Sequence, residues 1–270
     1  MKLWLVLIFF TILFAGCAKS LVKTEISSFS EEEFFVRTAK FGTEIFRYRI
    51  FVPQDRTPGA RLPVMLYLHG SDDRGDDNEL QLRGMTEHLK RHPQDFPFII
   101  VFPQCRNDRS WDDMTIGRAM AALAQSVNEF DGDERRLYLA GFSLGGYGVW
   151  TTAAMYPDKF AAIVPMSGRL IPRSGERNHV EPQILELADA GDPYAAFAQK
   201  IGKTPIWIFH GGDDNIVPVA NSRKMAAALK NAGNNNVKYT EFPNTGHYSL
   251  DQAFNESELF KWLALQHLGG

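Results

Sequence analysis

Cysteine is almost missing from this chain: only Cys17 and Cys105 occur among 270 residues. That excludes a framework of disulfides, so the fold must rest on its hydrophobic core. Cys105 then reads as a small buried packing residue rather than a reactive thiol. An excess of one charge is missing too, with 29 Lys and Arg against 32 Asp and Glu, a formal net charge of -3 and no long basic run. Such mild acidity excludes nucleic acid and an anionic membrane surface as expected partners. No apolar run reaches the roughly 20 residues that a spanning helix needs. Internal repeats are absent, and no linker divides the body of the chain. His69 and His210 lack an HExxH-like spacing or neighbouring cysteines, and the acidic run Asp72–Asn78 lacks the ligand spacing of an EF-hand. No metal or other cofactor is expected.

What is present begins at the N-terminus. Met1-Lys2 is followed by a nearly unbroken apolar run, Leu3 to Phe14, and then by Ala15-Gly16-Cys17. A basic start, a short apolar core and small residues before a cut describe a secretory signal. Ala-Gly-Cys resembles a bacterial lipobox, in which the cysteine is lipidated and becomes the mature N-terminus. The expected organisation is a signal peptide at 1–16, a tether at 17–30 beginning with a lipidated Cys17, and one folded domain at 31–270. Export is expected, with membrane contact only through that anchor.

Along the domain, strand-like runs alternate with helical patterns. Strands are expected at Ile45–Val52, Val64–Leu68, Phe98–Phe102, Leu137–Ala140, Phe160–Val164, Ile206–Phe209 and Val237–Phe242. Several are continuously apolar, as strands covered on both faces are. Helices are expected at about Glu79–Lys90, Ile116–Phe130, Gly145–Met155, Ala220–Asn231 and Glu256–Leu268. Such alternation predicts an α/β fold, a mostly parallel sheet with helices on both faces.

The most informative segment is Arg136-Leu-Tyr-Leu-Ala-Gly141-Phe-Ser143-Leu-Gly145. A buried strand enters a Gly-x-Ser-x-Gly turn and a helix leaves it, the context of a nucleophile elbow. Ser143 is the candidate nucleophile. Downstream, Phe209-His210-Gly-Gly-Asp213-Asp214 ends a strand in an acidic turn, and Glu241-Phe-Pro-Asn-Thr-Gly246-His247 ends another with a histidine. Serine, acid, histidine is the chain order of an α/β-hydrolase triad. His247 would take the Ser143 proton, and a carboxylate at 213 or 214 would hold its tautomer. The remaining histidines at 88, 92, 179 and 267 follow no strand end. For the oxyanion, one backbone N–H follows the nucleophile and another comes from the His69-Gly70-Ser71 turn, which selects Leu144 and Ser71. His69 and His210 both precede glycine at a strand end and read as loop braces.

Taken in order, His69-Gly-Ser, Arg74-Gly-Asp-Asp-Asn78, Phe102-Pro-Gln-Cys105 with Trp111, Gly141-Phe-Ser-Leu-Gly-Gly-Tyr-Gly148, Tyr156-Pro-Asp-Lys-Phe160, His210-Gly-x-x-Asp214-x-x-Val-Pro218 and Gly246-His247 resemble the secreted bacterial α/β-hydrolases of the peptidase and phospholipase/carboxylesterase group. These are similar to feruloyl-esterase-type carbohydrate esterases and polyhydroxybutyrate depolymerases. The resemblance covers roughly residues 45 to 265. It implies the α/β-hydrolase fold and a triad of Ser143, Asp214 and His247, with Asp214 preferred over Asp213 as the fifth position of its motif. It also implies that Trp111 lies near the substrate.

Two departures from that pattern stand out. Asp72-Asp73 occupies positions where such relatives commonly carry Gly-Glu, so a carboxylate beside the oxyanion loop is expected to narrow it or repel anionic substrates. The stretch from Arg169 to Lys200 is long, and an insertion there is expected to form a small cap at about 169–200 over the nucleophile; the alternative is a surface excursion clear of the cleft. The expected chemistry is hydrolysis of a small-molecule or polysaccharide-linked carboxylic ester through an acyl-enzyme on Ser143. A serine peptidase with the same triad and a noncatalytic binding lipoprotein are the competing expectations.

Overall fold

The computed structural model describes residues 34–53, 59–91 and 96–269. The expected signal peptide, tether and Cys17 lie outside the described residues. Eight strands form one sheet: β1 (Phe34–Phe41), β2 (Glu44–Phe51), β3 (Val64–Leu68), β4 (Ile99–Phe102), β5 (Leu137–Phe142), β6 (Ala162–Met166), β7 (Ile206–Gly211) and β8 (Val237–Phe242). Their spatial order is β1-β2-β4-β3-β5-β6-β7-β8. β1 and β2 form an antiparallel hairpin, β2 joins β4 antiparallel, and from β4 to β8 every pairing is parallel. The expected α/β-hydrolase architecture, a mostly parallel sheet wrapped by helices, is what the chain adopts.

The two-residue period of a strand divides the core between the faces of this sheet. From β3, Leu66 and Leu68 join Ile163, Ile208 and Trp150 on one face. Met65 and Tyr67 join Ile100, Tyr138 and Phe209 on the other. The first face packs against α2 (Asp113–Phe130), α3 (Leu144–Met155) and α6 (Ala220–Asn231). The second is covered by α1 (Met85–Arg91), α7 (Leu250–Phe254) and α8 (Leu259–Ala264). Every residue of β3, β4 and β5 is buried, which explains their continuous apolar sequences. Each fully buried Leu, Ile or Phe contributes about 1.5–3 kcal/mol of transfer free energy, which supports a fold without bridges. Helix α3 is buried from Gly145 through Ala154, so it is apolar all round rather than striped.

Several elements differ from the sequence expectation. β1 has no counterpart among the expected strands, because an edge strand with one wet face mixes Arg37, Thr38 and Lys40 into its apolar residues. The helix expected at Glu79–Lys90 is cut short: Leu80–Leu82 is a single 3₁₀ turn, and Gly84 at φ 75° forces a break before α1 begins. The helix expected at Glu256–Leu268 is confined to α8, and the short α7 precedes it. Strands β5 and β6 each run two residues farther than expected, which carries their ends to the site.

The stretch 169–200 holds a 3₁₀ segment (Ser174–His179), α4 (Pro182–Ala188) and α5 (Pro193–Ile201). Its two helices pack on each other and on α3, and α5 also packs on α6. Only Arg169 and Arg173 of this stretch line the cleft around Ser143. The expected cap is therefore corrected: the apolar faces of α4 and α5, through Ile184, Phe197 and Ile201, are buried in the core beside α3 and α6. No described helix is long and apolar enough to cross a membrane.

Candidate active site

The site is assembled at the carboxyl ends of the parallel strands, where crevices form in open α/β sheets. Ser143 stands between β5 and α3 with φ 56° and ψ -112°, a conformation that costs an L-residue on the order of 1–3 kcal/mol. Packing enforces it. The Ser143 amide donates to Met166 O (2.9 Å), and the Ser143 carbonyl accepts from Tyr147 N–H (3.1 Å). The flanking glycines allow the turn: a Cβ on Gly141 would lie 2.5 Å from Gly145 O, and one on Gly145 would lie 1.8 Å from Leu68 O.

Asp214 and His247 arrive on the turns after β7 and β8. Ser143 Oγ lies 2.7 Å from His247 Nε2, and His247 Nδ1 lies 2.7 Å from Asp214 Oδ2. A carboxylate oxygen only accepts, so Nδ1 carries the proton and Nε2 is left to accept from the serine hydroxyl. Both Asp214 and His247 are buried. Asp214 Oδ1 accepts from the Ile216 and Val217 amides at 2.9 and 2.8 Å, an Asx turn that fixes the carboxylate. Asp213 is exposed, its amide donating to Thr245 O, so of the adjacent pair it is Asp214 that meets the histidine.

The His69-Gly70-Ser71 turn passes close to Ser143: a Cβ on Gly70 would touch Phe142 at 3.5 Å and Ser143 Cβ at 3.8 Å. Ser71 and Leu144 both line the cleft with Ser143 and His247. As the first residue of α3, Leu144 has no carbonyl within its helix for its N–H. His69 braces this turn. Its Nδ1–H donates to Gly70 O (2.7 Å), and its Nε2 accepts from the Cys105 amide (3.0 Å). Burial pushes its pKa down to about 4, so the ring stays neutral in this role.

Trp111 requires a correction. It is fully buried and is absent from the cleft lining. Its indole N–H donates to His69 O (3.1 Å), its ring meets the His69 ring edge-on, and a Cβ on Gly148 would strike it at 2.7 Å. The indole thus supports the His69-Gly70-Ser71 turn from behind instead of lining the cleft. Its sequence position near the site was legible; the side of the loop to which it points was not.

The cleft has a volume of about 520 Å³, within the range of small-molecule sites. Beyond the residues expected from sequence it is lined by Tyr248, Phe142, Ile216, Arg83, Arg169 and Arg173. Tyr248 and Ile216 are large exposed side chains on its rim. Tyr248 Oη donates to Asp72 Oδ2 across the mouth (3.4 Å). Arg169 is held by both oxygens of Glu176 (2.6 and 2.5 Å) and lies over the Tyr147 ring. The only sequence signal for these residues was adjacency, Tyr248 to His247 and Arg169 to the end of β6.

Asp72 and Asp73 share the cleft lining with Arg83 and Arg173 as well as with the Glu176-paired Arg169, so the expected repulsion of anions is partly countered there. Partial burial pushes the Asp73 carboxyl up to about 6 from 3.8, against the pull of Arg83, with Asp72 adding to the rise. The folded chain then binds the Asp73 proton more tightly than the unfolded chain does. Stability is lost as pH rises from about 4 to about 6, and the whole penalty is present above that window. Asp73→Asn is expected to match the parent near pH 3.5 and to be more stable on a plateau above pH 6.5. Denaturant titrations across pH check this; a stability difference independent of pH would contradict it.

A profile of the prolyl oligopeptidase family matches residues 106–267, well over half of the 270-residue chain. The chain belongs to the prolyl oligopeptidase family. The matched region contains Ser143, Asp214 and His247, and it puts the chain in the serine hydrolase superfamily. A bifunctional acetylxylan esterase/xylanase of Neocallimastix patriciarum is 25% identical over 186 residues, covering 67% of this chain and 23% of that protein. An uncharacterized secreted protein of Arthroderma benhamiae is 27% identical over 215 residues, covering 72% of this chain and 22% of its own length. The aligned regions thus span less than a quarter of either relative. Among solved structures, a thermostable esterase is 29% identical with a TM-score of 0.71, covering 87% of this chain and 63% of that one. The acylaminoacyl peptidase of Pyrococcus horikoshii, 15% identical with a TM-score of 0.63 over 87% of this chain and 42% of its own, shares the fold.

Proposed function

We propose that this protein hydrolyses carboxylic esters through an acyl-enzyme on Ser143. The observation that carries the reading is the continuous relay Ser143–His247–Asp214, with 2.7 Å at both links, facing an open cleft. His247 Nε2 takes the hydroxyl proton as Ser143 Oγ bonds to the ester carbonyl carbon, and the carbonyl π electrons move to its oxygen. The Ser71 and Leu144 N–H groups receive that oxyanion. Collapse expels the alkoxide, which takes the proton from His247 and leaves as the alcohol. Water, deprotonated by the same nitrogen, attacks the acyl-enzyme by the reverse geometry and releases the acid. Asp214 accepts from His247 Nδ1–H and stabilises the imidazolium at each step.

Ester rather than amide cleavage is supported by the esterase names of the more similar relatives, with a small-molecule or polysaccharide-linked ester as the substrate class. Peptide cleavage is the second reading, favoured by the family to which the chain belongs. A p-nitrophenyl ester and the p-nitroanilide of the same acyl group separate them. The expected kcat/KM ratio is about 10²-fold or more in favour of the ester, and both activities are lost in Ser143→Ala. An anilide turned over as fast as the ester would replace the esterase reading with the peptidase one.

A further inference from the structure

His210 braces the turn after β7, and its contacts also reach the relay. It lies in β7, fully buried. Its Nε2 is 2.9 Å from Val217 O and 3.1 Å from Asp214 Oδ2, and its Nδ1 is 2.6 Å from Ser222 Oγ on α6. Neither oxygen facing Nε2 carries a proton, so Nε2 must, and the Ser222 hydroxyl then donates to Nδ1. The opposite tautomer would aim a ring lone pair at a carbonyl and a carboxylate together.

We propose that His210 is a positioning residue for the relay: its Nε2–H holds the same Asp214 oxygen that orients His247 and limits how strongly that carboxylate raises the basicity of His247. This rests on the reading of Ser143, Asp214 and His247 as the reacting set. An ionised carboxylate has about four acceptor sites: Ile216 and Val217 donate to Oδ1 and His247 to Oδ2, and His210 Nε2–H, which donates to Val217 O at 2.9 Å, shares its proton with the same Oδ2 at 3.1 Å. Asp214 is therefore held by protein donors on both of its oxygens. A donor to the anionic form draws charge away from it. Removing His210 returns that charge to the bond with His247 and makes the imidazole more basic.

The charged groups around His210 act on it in opposing directions. Asp214 and Glu241 would favour its protonation and His247 opposes it, while Arg223 on α6 pairs with both Glu241 oxygens. Burial is the largest influence and pushes the His210 pKa below its ordinary value.

The test compares the parent with His210→Phe and His210→Gln, whose amide nitrogen can replace the Nε2–H donor. For His210→Phe the acid limb of the kcat/KM profile is expected to move up by about 0.5–1 pH unit. Its kcat should fall about tenfold with KM changed by less than about twofold, because His210 does not line the cleft. His210→Gln should return the limb to the parent position. A Phe variant with an unmoved limb, or a Gln variant no better than Phe, overturns the proposal. ¹⁵N spectroscopy of the histidines in the parent protein decides the matter should the Phe variant not fold. One ring protonated on Nε2 alone at pH 8 is expected, and a His210 ring protonated on Nδ1 overturns it. Parent turnover that survives Ser143→Ala would instead overturn the reading of the site, so the two failures are distinguishable.

Discussion

Ser143→Ala and Ser143→Gly are both expected to lose ester turnover by about 10⁴-fold or more, yet to differ in stability. Loss of the nucleophile leaves only oxyanion stabilisation and binding, which explains the size of the kinetic effect. The stability difference comes from the backbone. Ser143 sits at φ 56° and ψ -112°, where any side chain is strained and glycine is not. Alanine keeps the strain. Glycine releases about 1–3 kcal/mol of it and returns about 0.5–1 kcal/mol to unfolded-state entropy. The glycine variant should therefore be more stable than the alanine variant by about 1 kcal/mol, or about 2–4 °C in Tm for a domain of this size. Thermal unfolding of the two side by side checks it. Equal midpoints would mean that the elbow stores no strain.

Gly145→Ala is expected to be the most damaging conservative change in the fold. Its Cβ would lie 1.8 Å from Leu68 O, 2.5 Å from Leu68 C and 2.9 Å from His69 O. All three are backbone atoms, and no rotamer can relieve them. Strand β3 would have to separate from α3, breaking the elbow and moving the oxyanion turn that follows Leu68. A loss of about 3 kcal/mol or more is expected from a total stability of about 5–15 kcal/mol, together with loss of turnover. Gly175→Ala provides the control, since nothing lies within 4 Å of a Cβ there, and its stability should stay within about 0.5 kcal/mol of the parent. Parent-like Tm and activity in Gly145→Ala would show that the close approach of strand and helix is not needed.

Much of this could be read from the sequence because the local signals agree with the global fold. Val64-Met-Leu-Tyr-Leu is apolar on both faces, and in the structure both faces are covered. The Gly-x-Ser-x-Gly turn carries its own steric logic, and chain order pointed to the acid and histidine that meet at 2.7 Å. Legibility failed where direction or distance in space decides. Trp111 is close to the site in sequence pattern but faces the back of the His69 turn. The 169–200 stretch is long enough for a cap, yet Ile184 and Phe197 are buried in the core beside α3. β1 was missed because it is covered on one face only, and the Glu79–Lys90 pattern hid a left-handed Gly84. His210 showed its motif but not its second role, since the bond to Asp214 depends on how the turn after β7 folds back on its own strand.

The claim on which the rest depends is that Ser143 is the reacting atom's owner. Treating the folded protein with a fluorophosphonate and mapping the modified peptide by mass spectrometry tests it most directly. The account predicts one stoichiometric adduct on Ser143, absent from Ser143→Ala and slowed by about 10²-fold or more in His247→Ala. No adduct, or an adduct at another residue of a protein that still turns over esters, would contradict it.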